Sequence, residues 1–322
     1  MPNLPFGRKT GEVLKILIKE RDLTRKQLSM DSTEFYVCSD THLDKILSGK
    51  VEPSHHMLMR FLSVLNIEYD EFLYRMYGKD IRAFKNAFEK VWDLNHGEQY
   101  EEMETQIENL KSQDFCDMTI PHIAQAVFLA EGVVLYTLHK DFTKSKEHLN
   151  NALKLTTSKK IFDRKGYDYK YIANTTFSHN EYRILRAIAN VLNHNEKQNY
   201  AIKITRALCT SLENNNADYT TRKALLPSIY FNLSNMLLDE NKLHDALNIV
   251  KKGMRFCRDI KKLSILDLLY YNQGKAFYLL GNRNQAEEYF TKSYNLSIEF
   301  GNNNRALFTQ KIVREKYNID IK

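Results

Sequence analysis

The chain has 322 residues, of which 43% are hydrophobic and 27% are charged, so it is long enough for two domains with substantial cores. Its 11 glycines and five prolines are few for this length, which argues against a β-sandwich or β-barrel and favours an all-α fold. The net charge of +7 permits binding to a polyanion without demonstrating it.

The chain shows no sign of secretion, of a membrane span or of a metal. Its N-terminus has no apolar signal core, and no window approaches the roughly 20 apolar residues of a membrane span. The four cysteines are widely spaced and form no CxxC pair, so we expect buried thiols and neither a zinc site nor a disulfide framework. We therefore expect a cytoplasmic protein with no membrane partner, no metal and no cofactor.

The first 75 residues show the hydrophobic spacing of five short helices. Thr10, Thr24 and Ser39 are candidate N-caps for the first three helices. Gly49 is placed to end the third helix, and Ser54 is placed to begin the fourth. Seven basic residues against three acidic ones lie within the first 26 positions, so positive charge is concentrated at this end.

Two stretches in this region, LTRKQL at 23–28 and SDTHLDKILSGK at 39–50, resemble the repressor-type (Cro/C1, or XRE-like) helix-turn-helix domain. In that domain the second helix lies over the DNA backbone and the third lies in the major groove. The resemblance implies the following DNA contacts: Thr24, Arg25 and Lys26 at phosphates; Ser39, Thr41, His42 and Lys45 on or beside the groove surface; Ser48 and Lys50 at the flanking backbone.

Several positions depart from the family pattern. The segment 29–38 is about four residues longer than the usual turn, and Asp22 stands where the family prefers glycine. Asp40 and Asp44 place carboxylates on the recognition helix, where phosphate repulsion is costly unless a cytosine amino group pairs with one. The alternative is therefore a domain that keeps the fold and no longer binds DNA.

From Asp80 onward, apolar residues recur at helical spacing almost without interruption. The pattern predicts helices at about 80–95, 98–112, 119–139, 142–156, 179–194, 197–213, 223–240, 242–259, 264–280, 283–300 and 303–317. The segment 157–178 is the predicted insertion, and Asn214 begins a predicted loop.

The helices fall into repeating pairs. Tyr230, Ser234 and Leu237 are followed by Ala246, which lies 16 residues after the tyrosine, and the same pattern begins again at Tyr270. This is the tetratricopeptide (TPR) spacing, in which small residues let two helices touch. Weaker copies run over 185–208 and 129–152. The marker positions 145, 201, 246 and 286 are 56, 45 and 40 residues apart, against about 34 in a standard repeat, so the repeats are long and irregular.

In tetratricopeptide geometry the first helix of each pair lines a concave inner face. The candidate peptide-binding residues at the lining positions are Arg183, Arg186, Asn190, Asn193, Phe231, Asn232, Asn235, Tyr271, Lys275 and Tyr278. Asparagine both donates and accepts hydrogen bonds, so it can satisfy the backbone of an extended peptide. The basic side chains can hold a carboxylate, and the aromatic ones offer apolar contact. The ordinary alternative is exposed asparagine and core tyrosine.

A repressor-type domain followed by an irregular repeat body resembles, over the whole chain, the Rgg/PlcR/PrgX (RRNPP) group of peptide-pheromone receptors. The resemblance implies a cytoplasmic, homodimeric quorum-sensing transcriptional regulator. Its helix-turn-helix domain (1–75) would bind double-stranded promoter DNA, and its repeat domain (76–302) would bind a short signalling peptide that changes the geometry of the dimer. The last helix (303–322) would cap the repeats and join the dimer contact.

Two other functions remain open. One is a TPR protein-interaction module with a degenerate helix-turn-helix domain, and the other is a phage lysis–lysogeny peptide receptor of the same layout. An enzyme is disfavoured because the chain has no GxGxxG, GxxxxGK[ST], HExxH or GxSxG motif, and no catalytic residue is assigned.

Overall fold

The computed structural model describes residues 6–30, 37–163, 166–195, 197–214, 219–261 and 265–321. The chain forms two compact units, one of residues 1–164 and 175–187 and the other of residues 165–174 and 188–322. The boundaries at 75 and 302, which follow the sequence motifs, stay predictions. The described residues are overwhelmingly helical, which confirms the all-α fold class.

Five short helices begin the first unit: α1 (Phe6–Glu20), α2 (Arg25–Ser29), α3 (Asp40–Leu47), α4 (His55–Val64) and α5 (Tyr69–Tyr77). Their apolar faces meet in one core, which includes the fully buried Leu14, Leu28, Ile46, Phe61 and Phe72. The five helices expected from the spacing are therefore all present.

The ends of these helices explain two features of the sequence. Thr24 and Gln27 form a reciprocal capping box at the start of α2, which satisfies backbone N–H groups that the helix itself leaves unpaired. Asp22 has φ +51°, the left-handed conformation for which glycine is favoured. The prediction that Thr10 caps α1 is wrong, because the helix begins earlier, at Phe6, and Thr10 is buried within it. The long segment between α2 and α3 falls largely on 31–36, outside the described residues.

Gly11 fixes the close packing of α1 against α3. A Cβ atom at this position would lie 2.6 Å from the carbonyl oxygens of both Ile46 and Leu47. Because those neighbours are backbone atoms at the C-terminal end of α3, they cannot turn aside as a side chain can. A residue without a side chain is therefore required for this helix contact.

The rest of the first unit contains α6 (Lys79–His96), α7 (Tyr100–Lys111), α8 (Pro121–Thr137) and α9 (Phe142–Thr156). α8 and α9 form an antiparallel pair at the weakest of the predicted repeats. The Ser145 hydroxyl donates to the Gly132 carbonyl oxygen at 2.6 Å, and a Cβ at Gly132 would lie 2.8 Å from the Leu149 side chain. Ser145, the predicted marker position, therefore lies at the close contact of the two helices, and Gly132, which the repeat spacing does not single out, allows the same approach.

The predicted insertion has local structure of its own. It contains a 3₁₀ turn (Lys159–Ile161), two-residue strands β1 (Phe162–Asp163) and β2 (Gly166–Tyr167), and a short helix α10 (Tyr169–Ala173). In the second unit α10 packs against α12 and buries Ile172. The segment is therefore an irregular but packed addition to the repeats.

Helix α11 (His179–His194) begins in the first unit and ends in the second. The second unit continues with α12 (Gln198–Glu213), α13 (Tyr219–Asp239), α14 (Leu243–Asp259), α15 (Leu266–Leu279), α16 (Arg283–Glu299) and α17 (Asn303–Tyr317). α13 pairs with α14, and α15 pairs with α16. A Cβ at Gly274 would lie 2.7 Å from the Phe290 ring, so the small and large positions of the motif meet as in tetratricopeptide repeats.

Residues that follow α17 cover the last helix pair. Ile319 and Ile321 are buried with Phe290, Val313 and Tyr317, and the Gln310 side chain donates to the Ile321 carbonyl oxygen at 2.9 Å. Apolar surface on α16 and α17 that would otherwise face solvent is thereby covered.

Candidate functional sites

The exposed face of α3 carries the side chains that could reach DNA. Thr41, Lys45 and Ser48 are exposed on α3 or at its end, whereas Leu43 and Ile46 are buried. Lys50 is exposed just beyond the helix, and His42 is only half-buried. Ser39 is the N-cap of α3 and accepts a hydrogen bond from the His42 backbone at 3.3 Å, so its hydroxyl is committed in part to the helix.

Both acidic residues of α3 contact α2. The Arg25 guanidinium Nη1 donates to Asp44 Oδ1 at 3.0 Å, and the Ser29 hydroxyl donates to Asp40 Oδ1 at 3.4 Å. The carboxylates that argued against DNA binding therefore have partners within the protein. No sequence pattern indicated the Arg25–Asp44 pair, because the two residues are 19 positions apart.

Thr24 and Lys26, the other residues predicted to contact phosphates, differ in whether their side chains bind other groups of the protein. The Thr24 hydroxyl donates to Gln27 Oε1 at 2.8 Å and accepts from the Gln27 backbone at 3.2 Å, so it serves the capping box. Lys26 is exposed at the second position of the helix. In a helix of five residues this position also belongs to the last turn, so the helix dipole does not decide its role, and its exposed ammonium group can pair with an external anion.

Four of the predicted peptide-binding residues lie together in the second unit, on α11, α13 and α15. Asn232 Nδ2 donates to Asn190 Oδ1 at 3.2 Å, and Lys275 Nζ donates to Asn235 Oδ1 at 3.2 Å. We call Asn190, Asn232, Asn235, Lys275 and Asp239 the polar row. Its members are partly exposed, so their remaining donors and acceptors are available to a ligand.

Asp239 is a member of this row that the sequence reasoning missed. Its carboxylate lies 2.7 Å from Lys275 Nζ, and its other oxygen is 3.5 Å from Asn235 Nδ2. The side chain of Lys275 is 18% exposed and that of Asp239 is 33% exposed. The charge of the lysine is thus balanced within the protein, and a ligand carboxylate would compete with Asp239 for it.

Asn272 holds the helices of the row in place. It is fully buried, and its Nδ2 donates to the Phe231 carbonyl oxygen at 3.1 Å and to the Ser234 hydroxyl at 2.8 Å. These bonds join α15 to α13 from behind the row. Phe231 and Asn193, both predicted to line the groove, are half-buried.

The two predicted tyrosines of α15 contact the last helix. The hydroxyl groups of Tyr271 and Tyr317 are 3.4 Å apart, and the ring of Tyr278 lies edge-on to Tyr317 with 4.8 Å between centroids. Burial raises the pKa of Tyr271. Both tyrosines are half-buried, so they form part of a packed aromatic cluster at the α17 side of the polar row.

Arg183 and Arg186 belong to the first unit. Arg183 is 7% exposed, contacts both carboxylate oxygens of Glu89 at 3.2 and 3.3 Å, and lies 4.7 Å from the centre of the Trp92 ring. Burial lowers the pKa of the Arg183 guanidinium, and Glu89 acts in the opposite direction. Its contacts are those of a structural arginine. Arg186 is half-buried, and burial lowers its pKa as well.

The described part of the chain shows neither a membrane-spanning helix nor a metal site. None of its helices combines the length and the apolar character needed to cross a membrane. Among the same residues, no three His, Cys, Asp or Glu side chains are grouped so that they could hold a metal ion. The four cysteines, Cys38, Cys116, Cys209 and Cys257, are buried, as expected.

Solved structures show the same architecture. Bacillus thuringiensis PlcR in complex with the peptide PapR7 and DNA is 20% identical, with 96% of this chain and 100% of that chain covered and a TM-score of 0.62. Apo PlcR from the same organism is 18% identical, with 93% of this chain and 98% of that chain covered and a TM-score of 0.56. The apo competence regulator ComR from Streptococcus vestibularis is 15% identical, with 96% and 98% covered and a TM-score of 0.54. At identities this low, the structural similarity establishes a shared fold and nothing more.

A match to a protein-family model shows the family to which this chain belongs. No curated protein sequence is significantly similar to this chain, but residues 88–319 match the model described as the RNPP family C-terminal domain. The match covers well over half of the chain and includes α7 to α17 in full. The resemblance inferred from the motifs is confirmed, and the chain belongs to the RNPP family.

Proposed function

We propose that this protein is a cytoplasmic, homodimeric quorum-sensing transcriptional regulator. Its helix-turn-helix domain binds promoter DNA, and its repeats bind a short signalling peptide that changes the geometry of the dimer. The observation that carries the proposal is the polar row, which lies on neighbouring first helices of the repeats in a chain whose N-terminal domain presents an exposed recognition helix. The PlcR structure of the same fold contains both a peptide and DNA.

The DNA-binding part is supported by the charges of the first domain. Lys26, Lys45 and Lys50 are exposed on or beside α2 and α3, and both carboxylates of α3 contact α2. Contacts from lysine to phosphate are independent of sequence and weaken as salt increases. The helix-turn-helix domain therefore presents phosphate-binding cations beside a surface that can read bases.

The peptide-binding part is supported by the chemistry of the polar row. An extended peptide needs partners for its N–H and C=O groups, and an unpaired group costs about 1–3 kcal/mol. The side chains of Asn190, Asn232 and Asn235 supply both donors and acceptors. Lys275 supplies a cation whose present partner is Asp239, so a peptide carboxylate can pair with the lysine in competition with Asp239, whose partly exposed carboxylate then turns to solvent.

The dimer is supported by an uncovered apolar surface on the last helix. Leu307 and Phe308 are adjacent on α17 and are 59% and 65% exposed. Large apolar side chains exposed together often mark a protein interface. We propose that this part of α17 contacts a second copy of the chain.

Two measurements test the proposed function. In a gel-shift assay on the promoter beside the gene, we expect a salt-sensitive shift that an active peptide changes. Calorimetry with short synthetic peptides should identify a ligand, and Asn235→Ala should weaken its binding by about 1–2 kcal/mol with an unchanged fold. Absence of any shift, with or without peptide, would favour the protein-interaction module with a degenerate helix-turn-helix domain.

A further inference from the structure

The ion pair between Arg25 and Asp44 joins α2 to α3 at the surface of the helix-turn-helix domain. Arg25 Nη1 lies 3.0 Å from Asp44 Oδ1, and the two side chains are 68% and 58% exposed. Ion pairs this exposed contribute little to the stability of a fold. The position of the pair is therefore better explained by what this surface binds than by what holds the domain together.

The pair lies next to the centre of the exposed face of α3. At 100° per residue, the order of side chains around that face is Asp40, Asp44, Ser48, Thr41 and Lys45. Asp40 lies at the edge nearest α2, where it contacts Ser29. Asp44 lies one step further in and adjoins Ser48. Because Asp44 holds the Arg25 guanidinium, a residue of the second helix is drawn towards the face that, in this class of domain, enters the major groove.

The chemistry of the pair fits one base. A carboxylate alone in the major groove would face the repulsion of the phosphates, whereas the arginine neutralises it. The contact with Asp44 engages Nη1, and a guanidinium has further N–H donors in a planar fork. Guanine presents two acceptors, O6 and N7, on its major-groove edge, which is the arrangement that an arginine fork matches.

We propose that the Arg25–Asp44 pair reads a guanine at one position of the DNA target. Arg25 donates to O6 and N7, and Asp44 is the positioning residue that keeps the guanidinium beside α3. The inference rests on the proposed DNA binding and revises one part of it. Arg25 becomes a reader of sequence, whereas the neighbouring Lys26 keeps the phosphate contact expected from the sequence.

The experiment is a selection of bound duplexes from a randomised library by the full-length protein, followed by titrations of selected duplexes at several salt concentrations. For the wild type we expect a guanine preference of roughly tenfold to a hundredfold at one position. Arg25→Ala and Asp44→Asn should each reduce the preference at that position to less than about threefold. Arg25→Lys keeps the charge without the planar fork, so it should weaken the preference while the salt dependence is unchanged.

Lys26→Ala is the matched control, one position along the same helix. It should weaken binding to all duplexes alike and reduce the salt dependence, with the guanine preference retained. The inference is overturned if Arg25→Ala keeps the wild-type base preferences. It is also overturned if Asp44→Asn loses a cytosine preference that Arg25→Ala retains, because Asp44 then reads the base alone. A wild-type protein that binds no duplex at low salt would refute the proposed DNA binding as well.

Discussion

The ammonium group of Lys275 lies 2.7 Å from the carboxylate of Asp239, and this ion pair of the polar row joins α15 to α13. A ligand carboxylate can reach the lysine only in competition with Asp239. For a peptide identified by calorimetry, we expect Lys275→Ala to weaken binding by about 1.5–3 kcal/mol, the range for hydrogen bonds to charged groups. Asp239→Asn should strengthen the binding of peptides with a free carboxylate.

The matched control for this first prediction is Lys292→Ala, which removes a lysine paired with Glu288 on α16 and should leave peptide affinity unchanged. Equal affinities for the wild type and Lys275→Ala would place the peptide elsewhere.

The second prediction concerns the buried amide behind the polar row. Asn272→Ala removes the two hydrogen bonds that join α15 to the Phe231 carbonyl and the Ser234 hydroxyl. The Ser234 hydroxyl still donates to the Phe231 carbonyl oxygen at 2.8 Å, so neither group is left without a partner. The loss of two hydrogen bonds, each worth about 0.5–1.5 kcal/mol, should lower the free energy of unfolding by about 1–3 kcal/mol. Urea denaturation followed by circular dichroism measures this change. Asn284→Ala, at an exposed position of α16, should change stability little, and a similar loss at both positions would contradict the role given to Asn272.

The third prediction tests the small position of a repeat. In Gly274→Ala the new methyl group would lie 2.7 Å from the Phe290 ring, and such overpacking costs about 1–3 kcal/mol. Gly97→Ala is the matched control, since its φ of −85° suits alanine and the atoms nearest to its Cβ would belong to the flexible side chain of Gln99. Thermal unfolding should show a lower Tm for the first variant alone. An unchanged Tm for Gly274→Ala would mean that the helix pair can separate without cost.

The fourth prediction concerns pH. Burial lowers the pKa of His122 from 6.5 to about 4, with an opposing effect of Glu181 and a smaller lowering by His55. The histidine lies among the rings of Tyr69 and Tyr77. Between pH 6.5 and 4 the unfolded chain binds the proton and the folded one does not, so stability is lost as the pH falls through this window, by about 3 kcal/mol in all.

His122→Gln should remove this contribution to the pH dependence of the unfolding free energy, which urea titrations between pH 4 and 7 measure. His244→Gln, at an exposed position of α14, is the control and should leave the profile as in the wild type. A profile unchanged by His122→Gln would show that another group dominates this pH range.

The fifth prediction tests the dimer surface. Replacing Leu307 and Phe308 together by lysine should give a monomer, because two charges cannot be buried unpaired at an apolar contact. Light scattering coupled to size-exclusion chromatography measures the mass. Glu299→Lys with Glu315→Lys alters charge at exposed positions without removing the apolar pair and should preserve the wild-type mass. A double lysine variant that elutes as the wild type does would exclude α17 as the contact.

Regular helices were predictable because hydrophobic spacing and caps are local properties. The predicted bounds of 142–156, 179–194 and 303–317 coincide with α9, α11 and α17, and Thr24 and Ser39 cap the helices expected of them. Thr10 was misread as a cap because threonine occurs within helices as well, and the residues before it have weak periodicity. The local structure within 157–178 depends on packing against distant residues, such as that of α10 on α12.

The candidate sites were predictable in position and less so in chemistry. The repeat spacing placed Asn190, Asn232, Asn235 and Lys275 on neighbouring helices, where the structure brings them together. It gave no indication that Asp239 would balance Lys275, or that Glu89 would hold Arg183. Those ion pairs join residues about 40 and 90 positions apart, and the choice of partner depends on the tertiary fold.

The absence of a side chain at position 11 has a consequence for the proposed DNA binding. The C-terminal carbonyls of α3 lie directly against the backbone of α1 at Gly11. The distance between the two helices is therefore set by backbone contact, with no side chain between them that could adjust it. Substitution of Gly11 would displace the surface that carries Thr41 and Lys45 while leaving each of its atoms chemically intact. Under the proposed DNA binding, substitution of Gly11 would therefore weaken regulation from a position that is buried beneath α3.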